Sequence, residues 1–274
     1  MTTTPALPYA EVIGDPIAHS KSPLIHGFWL KELGLEADYR ACHVTPEGLS
    51  GYIAARRDDP LWRGCNVTIP HKLAVMEHVG DPGDVRGSIG AMNTIARDAQ
   101  GALFGTNTDA GGFYAPLGHS DFSGADVAVI GAGGAARAVL FALSRMDIGE
   151  VTIHARSPLK AMGLLAAFGL KGQVRGMDDA LGEVDLLVNT SPLGMKGFDP
   201  LKIDLSPLPQ SALVYDIVYN PLETGLLQAA RARGLETVDG LDMLIGQAAL
   251  AFEIFFDAAP PRARDAELRA LLTA

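Results

Sequence analysis

A glycine-rich turn and an isolated lysine are the two places in this chain where residue type and spacing point to chemistry. Val127-Ala128-Val129-Ile130 runs straight into Gly131-Ala132-Gly133-Gly134-Ala135-Ala136, and a helical run from Arg137 to Leu143 follows. Strand, turn and helix in that order form the context in which a glycine fingerprint cradles the pyrophosphate of a dinucleotide. Glycine at 131 permits the tight turn, and glycine at 133 lets the backbone approach the phosphates. Small Ala136 allows close packing of helix on strand, while the helix N-terminus favours negative charge. A βα turn that binds nothing is the competing reading.

Lys72 is the one lysine between Lys31 and Lys160, and it follows Asn66-Val67-Thr68-Ile69-Pro70-His71, where a strand end turns into a predicted helix. Open sheets hold ligands outside the carboxyl ends of their strands. A lysine there can be desolvated until it exchanges a proton with a substrate oxygen, or stay charged and stabilise a developing alkoxide. Both roles suit ketone reduction; an exposed first-turn lysine is the plain alternative. Asp109 can orient that amine, or serve as a turn residue for the glycines after it. Ser20 and Ser22 flank Lys21 in a loop where hydroxyls can hold a carboxylate, or Ser22 only caps the helix that opens at Pro23. Asn66, Thr68 and Asn93 cluster near strand ends, and such neutral donors suit a polyol or hydroxy acid. Gln247 interrupts an apolar helix face, so it is a buried structural amide or a substrate contact. Met195, at the end of Asn189-Thr190-Ser191-Pro192-Leu193-Gly194, lies either against a nicotinamide or in the core. The seven histidines show no ligand spacing, so no metal is expected.

Cofactor choice should show at the end of the second strand of the glycine-turn unit, where an acidic residue would hold the ribose 2′-hydroxyl of NAD. Here the strand from Glu150 to Ala155 runs instead into Arg156-Ser157-Pro158-Leu159-Lys160. A guanidinium, a hydroxyl and an ammonium suit a dianionic 2′-phosphate, so NADP (NADPH) is expected. The alternative is a solvated basic surface.

The elements that must position these groups alternate short apolar runs with amphipathic stretches, the signature of α/β architecture. Strands are predicted at Tyr9–Ile13, Tyr39–Val44 and Gly64–Ile69, with helices at 24–33, 46–57 and 70–78; a hairpin joins Ala91–Arg97 to Ala102–Thr106. A second set of strands follows at Asp126–Ile130, Glu150–Ala155, Asp185–Asn189 and Ala212–Ile217, and the helices Leu241–Asp257 and Ala263–Thr273 close the chain. The reading is two α/β domains: an N-terminal substrate domain with a mostly parallel sheet, residues 1–110, and a C-terminal NADP-binding Rossmann domain, residues 111–240. The closing helices, 241–274, pack back on the first.

At 274 residues the chain exceeds the ~100 to 200 residues of one usual domain, which fits two cores. A net charge of -10 argues against a nucleic-acid surface, so the expected partner is a small molecule. Cys42 and Cys65 are too few for a disulfide framework, and Met1 to Glu11 lacks a signal-peptide layout, so a cytoplasmic protein is expected. The most apolar stretch, Met243 to Phe256, is interrupted by Gln247 and Glu253 and falls short of a membrane span.

Taken in order, Ser20-Lys21-Ser22-Pro23, the run Asn66 to Lys72, Ala91-Met92-Asn93-Thr94, Asn107-Thr108-Asp109, the glycine turn, Tyr215-Asp216-Ile217-Val218-Tyr219-Asn220-Pro221 and Gly240 to Gln247 resemble the shikimate dehydrogenase family over almost the whole chain. The resemblance implies reversible NADPH-dependent reduction of 3-dehydroshikimate to shikimate across a cleft between domains. It makes Lys72 and Asp109 the catalytic pair. Ser20 and Ser22 would then hold the substrate carboxylate, with Thr68, Asn93, Tyr219 and Gln247 around the ring and its hydroxyls. Gly131, Ala132, Gly133, Gly134, Ala135, Met195 and Gly240 would line the cofactor, and Arg156, Ser157 and Lys160 would clasp its 2′-phosphate. A homodimer is compatible with this. One departure is Ala155, where the family commonly has an asparagine on the adenosine side; it keeps open an NAD-using quinate/shikimate dehydrogenase. A nucleotide sensor without chemistry is the third reading, and Lys72 with Asp109 argues against it.

Overall fold

The computed structural model describes residues 7–273. The chain divides into two compact units: the residues up to Thr108 together with those from Gln247, and the continuous stretch Asp109–Gly246.

The first unit holds β1 (Tyr9–Gly14), α1 (Ser22–Leu33), β2 (Asp38–His43), α2 (Leu49–Arg57), β3 (Trp62–Val67), the single turn α3 (Val85–Ser88), β4 (Thr94–Arg97) and β5 (Leu103–Thr106). Its sheet has the order β2-β1-β3-β4-β5. β1 pairs in parallel with β2 and β3, whereas β4 runs antiparallel to both β3 and β5. Four of five strands therefore point one way, and the chain order reverses between β1 and β3. The core gathers Trp29, Trp62, Ile13, Ile25, Ile53 and Ile95, and Phe252 joins it from the far end of the sequence. Each such side chain contributes about 1.5–3 kcal/mol by leaving water. α1 opens with a proline in its first turn and ends at Gly34 with φ 64°, whose N–H bonds back to the last carbonyls.

Two local expectations fail here. Ser22 is not the N-cap of α1: Lys21 takes that position without a side-chain cap, and Ser22 is buried in the first turn. Residues 70–78 do not form an α-helix. Ile69-Pro70 is a cis peptide, and a turn leads into one 3-10 turn at Ala74–Glu77. The proline at 70 that reads as a helix opener belongs to this turn instead.

The second unit holds α4 (Asp109–Tyr114), β6 (Val127–Ile130), α5 (Gly134–Leu143), β7 (Val151–His154), α6 (Pro158–Phe168), β8 (Gly172–Arg175), β9 (Leu186–Asn189), β10 (Leu213–Asp216), α7 (Gly225–Ala232) and β11 (Glu236–Val238). The order β11-β10-β9-β6-β7-β8 is parallel throughout. Read from the other edge this is the 3-2-1-4-5-6 arrangement of the Rossmann fold, with its reversal between β6 and β9. β6, β9 and β10 are buried along their whole length, as a sheet covered on both faces requires. The edge strand β8 is largely polar, so its apolar signal is weak.

α8 (Gly240–Phe256) is shared between the units, which divide at Gly246 and Gln247, and α9 (Asp265–Thr273) lies in the first, against α1. Asp109 and Ala110, read in sequence as the end of the first domain, cluster with the second because they open α4, which packs on α5. Residues 241–246 go the same way, since Gly240 meets the exit of β10. A side chain at 240 would stand 2.4 Å from the Ile217 carbonyl oxygen.

Candidate functional site

In the first unit the reversal between β1 and β3 brings two loops together at the carboxyl ends of these strands, the place where open sheets bind ligands. The Thr68 N–H donates to the Ile13 carbonyl at 2.9 Å and the Asp15 N–H to the Ile69 carbonyl at 3.0 Å. This zips the loop carrying Ser20 and Ser22 to the one carrying Thr68 and Lys72. The fit is close: a side chain on Gly14 would stand 2.5 Å from the Thr68 methyl. Ser20 Oγ accepts from the Ser22 N–H at 3.3 Å, so the two serines share one turn.

Behind these loops lies a buried polar cluster. Tyr39 donates from its hydroxyl to Asn66 Oδ1 at 2.6 Å, and Asn66 Nδ2 donates to Thr94 Oγ1 at 3.1 Å. Thr94 Oγ1 reaches Asn93 Oδ1 at 3.0 Å. Asn93 in turn accepts from the Thr108 N–H at 2.7 Å and donates to Thr108 Oγ1 at 2.9 Å and to Gln247 Oε1 at 3.4 Å. Asn66, Asn93, Thr94, Thr108 and Gln247 are all less than 10% exposed. Gln247 is thus a buried amide that accepts from Asn93. Lys72 is half-buried, and its carbonyl accepts from the Met92 N–H at 2.8 Å, which ties it to the residue before Asn93.

Sequence reasoning noted Asn66 but not Tyr39, Thr94 or Thr108 as members of this network. Only Thr94 had a signal, as a polar residue in the largely buried strand β4; Tyr39 stands on the mostly exposed β2, and Thr108 follows the end of β5. The Tyr39 ring stacks on His26 with centroids 3.8 Å apart. Burial holds His26 neutral, with its pKa lowered to about 3.

In the second unit, Gly131 follows β6 with φ 107°, a value open to glycine, and a side chain there would meet Thr190 Oγ1 at 2.9 Å. Nothing stands within 4 Å of where a side chain on Gly133 would be. No side chain caps α5, whose N-terminus the turn delivers at the β6–β9 reversal. Ala132, Gly134 and Ala135 are half-buried along it.

At the end of β7, Ala155 is buried, while Arg156, Ser157 and Lys160 are exposed. Ser157 occupies the N-cap of α6 without a capping bond, Pro158 follows in the first turn, and no acidic residue stands in that turn. Two cations beside the positive end of a helix repel it, so this arrangement is stabilised by an anion placed among them.

A second polar staple joins the loops that carry Met195 and Tyr219. The buried Asp216 carboxylate accepts from Asn189 Nδ2 at 2.9 Å, the Val218 N–H at 3.0 Å and Thr224 Oγ1 at 2.7 Å, and burial raises its pKa. The Lys196 N–H donates to the Asn220 carbonyl at 2.8 Å, which closes the two loops on each other. Met195 and Tyr219 are both half-buried, and burial raises the Tyr219 pKa. Asp109 is buried at the first position of α4. No group of metal-ligating side chains occurs among the described residues, and no helix among them is long and apolar enough to cross a membrane.

Two family patterns match the chain: a shikimate dehydrogenase substrate binding domain over residues 12–95 and a shikimate 5′-dehydrogenase C-terminal domain over residues 240–267. A shikimate dehydrogenase (NADP(+)) of Sphingopyxis alaskensis is 70% identical over 269 residues, covering 98% of this chain and 98% of the relative. Among solved structures, the shikimate 5-dehydrogenase of Thermus thermophilus in complex with NADP(H) and shikimate has a TM-score of 0.86 at 36% identity, covering 97% of this chain and 100% of the other. A quinate dehydrogenase from Corynebacterium glutamicum in complex with NAD has a TM-score of 0.84 at 30% identity, covering 97% of this chain and 99% of the other.

Proposed function

The chain belongs to the shikimate dehydrogenase family, and from that premise we propose that it is an NADP-dependent shikimate dehydrogenase, reducing 3-dehydroshikimate reversibly to shikimate in aromatic amino-acid biosynthesis. The observation that carries the reading is the buried cluster Asn66, Asn93 and Gln247 behind the paired loops of the first unit. Such preset amides suit a ring bearing several hydroxyls and a carboxylate.

The residues present fit the cofactor. Gly131 has the left-handed backbone of a pyrophosphate turn, Gly133 has open space beside it, and Arg156 and Lys160 flank an acid-free helix start. Gly131 to Ala135, with Met195 and Gly240, would hold the dinucleotide, and Arg156, Ser157 and Lys160 its 2′-phosphate. When bound, NADPH supplies the hydride that the ketone carbon accepts.

In this reading Lys72 and Asp109 handle the proton. Lys72 gives a proton to the ketone oxygen as it becomes a hydroxyl, and takes it back in the oxidation direction; the Asp109 carboxylate keeps the ammonium oriented. Ser20 and Ser22 hold the substrate carboxylate, and Thr68, Asn93, Tyr219 and Gln247 hold its hydroxyls. The first unit is the substrate domain and the second the cofactor domain. We place the enzyme in the cytoplasm, where Cys42 and Cys65 remain free thiols. A homodimer is proposed as its assembly, with Leu250 and Ile254, exposed one turn apart on α8, as the surface to test by sedimentation.

The experiment is steady-state kinetics on shikimate and quinate with NADP and NAD. Shikimate with NADP should give the highest kcat/KM. Because Ala155 offers no amide on the adenosine side, quinate oxidation with NAD is the second reading, and a higher kcat/KM for that pair would replace the first.

A further inference from the structure

We propose that His71 is a positioning residue for Lys72, its buried ring holding in place the exposed turn that carries the lysine. This inference rests on the reading of Lys72 as the proton-transferring group. Residues 69–73 are turn rather than α-helix, so their path is set by separate bonds, such as those from the Asp15 N–H to the Ile69 carbonyl and from the Met92 N–H to the Lys72 carbonyl, rather than by a helical ladder. Ile69 is 63% exposed and Leu73 42%, and Pro70 and Ala74 are exposed as well. His71, in their midst, is 1% exposed.

Its Nε2 lies 2.6 Å from the Val44 carbonyl oxygen, on the segment that leaves β2. A carbonyl only accepts, so Nε2 carries the proton and donates. The backbone of His71 is held too: its N–H donates to the Thr68 carbonyl at 2.9 Å, and its carbonyl accepts from Val75 at 3.0 Å. The ring therefore links the Lys72 turn to a strand end two places across the sheet, since β2 and β3 lie on either side of β1. An apolar residue would fill the space but leave the Val44 carbonyl buried without this donor, and a side chain shorter than histidine would not reach it.

Side-chain reach supplies the test. The amide nitrogen of glutamine can occupy the place of Nε2, whereas that of asparagine stops near Nδ1. In the full-length protein, with shikimate and NADP+, His71→Asn should lower kcat about 10- to 100-fold, since a displacement of ~1 Å in a reacting group has this effect. KM for NADP+ should stay within about twofold, and His71→Gln should recover kcat to within about fivefold of the parent. Rates are taken per molecule competent to bind NADP+, so a loss of folded protein does not count as a loss of catalysis. If His71→Asn does not accumulate, His71→Gln decides alone: kcat within about fivefold supports the proposal, and a larger loss overturns it. Equal losses in the two variants, or none in either, would also overturn it. Lys72→Met is run beside them. If it loses turnover while both His71 variants keep it, only the anchor is wrong; if it keeps turnover, the reading of Lys72 fails and the anchor with it.

Discussion

In the first unit, Asn66, Asn93 and Gln247 direct their amides to one another and to Thr94 and Thr108, all away from water. In the second, Arg156, Ser157 and Lys160 stand exposed at the start of α6, and the glycine turn offers mainly backbone. The substrate side is thus fixed before anything binds: its buried amides already have partners, and a rearrangement to suit a different ring would leave one of them unpaired. The cofactor side relies on helix ends and solvated charges, whose contribution is graded and screened by salt. Selectivity for the substrate should be steep, and preference between cofactors shallow.

Several measurements can break or sharpen this contrast. The largest effect belongs to Lys72→Ala, which should reduce turnover about 100- to 10,000-fold while leaving NADP+ affinity nearly intact, as titration of the purified protein would show. Unchanged turnover would remove the chemistry from the first unit. Next, Arg156→Ala combined with Lys160→Ala should raise KM for NADP+ about 10- to 100-fold, leave KM for NAD+ within about twofold and flatten the salt dependence of NADP+ binding. A loss of NADP+ affinity that ignores salt would mean that these cations are not the anion clasp.

Asn93→Ala should cost about 1–3 kcal/mol in urea unfolding, because the Thr108 N–H and Gln247 lose their buried partner. It should also lower kcat/KM for shikimate without touching NADP+ binding. The last effect is confined to acid. His26 is neutral in the folded protein, with its pKa lowered from 6.5 to about 3. Between these values the unfolded chain binds a proton that the folded one refuses, so stability falls as pH drops from 6.5 toward 3, by up to ~1.4 kcal/mol per pH unit. Above pH 6.5 this contribution to the pH dependence vanishes. His26→Leu should flatten the slope of unfolding free energy over that window, and an unchanged slope would assign the acid sensitivity elsewhere.

The contrast also decides what could be read from the residues alone. The glycine turn is legible because backbone geometry constrains residue type directly: a φ of 107° at 131 and a close Thr190 demand glycine. The basic run at 156–160 is legible because charge without a carboxylate partner stands out. The amide cluster is not, since the meeting of Asn93 and Gln247 spans 154 positions and depends on how α8 returns to the first unit. Periodicity misreads residues 70–78 because a proline at a helix start and a proline in a cis turn look alike in sequence. The motif order supplies the pairing that periodicity lacks. Asp216 had a weaker signal, an acid ending an apolar strand with Thr224 eight residues on.

The division of α8 bears on the order in which the protein becomes folded as it is made. Phe252 and Phe255, in the second half of that helix, complete the core of the first unit; Phe252 packs edge-on to Trp29, and the Phe255 ring lies over Gly64. The sheet that emerges first from the ribosome therefore waits for residues near 256. At ~5 to 20 residues per second, the ~150 residues after Thr108 take about 7 to 30 seconds. The stretch Asp109–Gly246 is uninterrupted and has no such wait. Synthesis runs from the substrate side to the cofactor side, and maturation should run the other way.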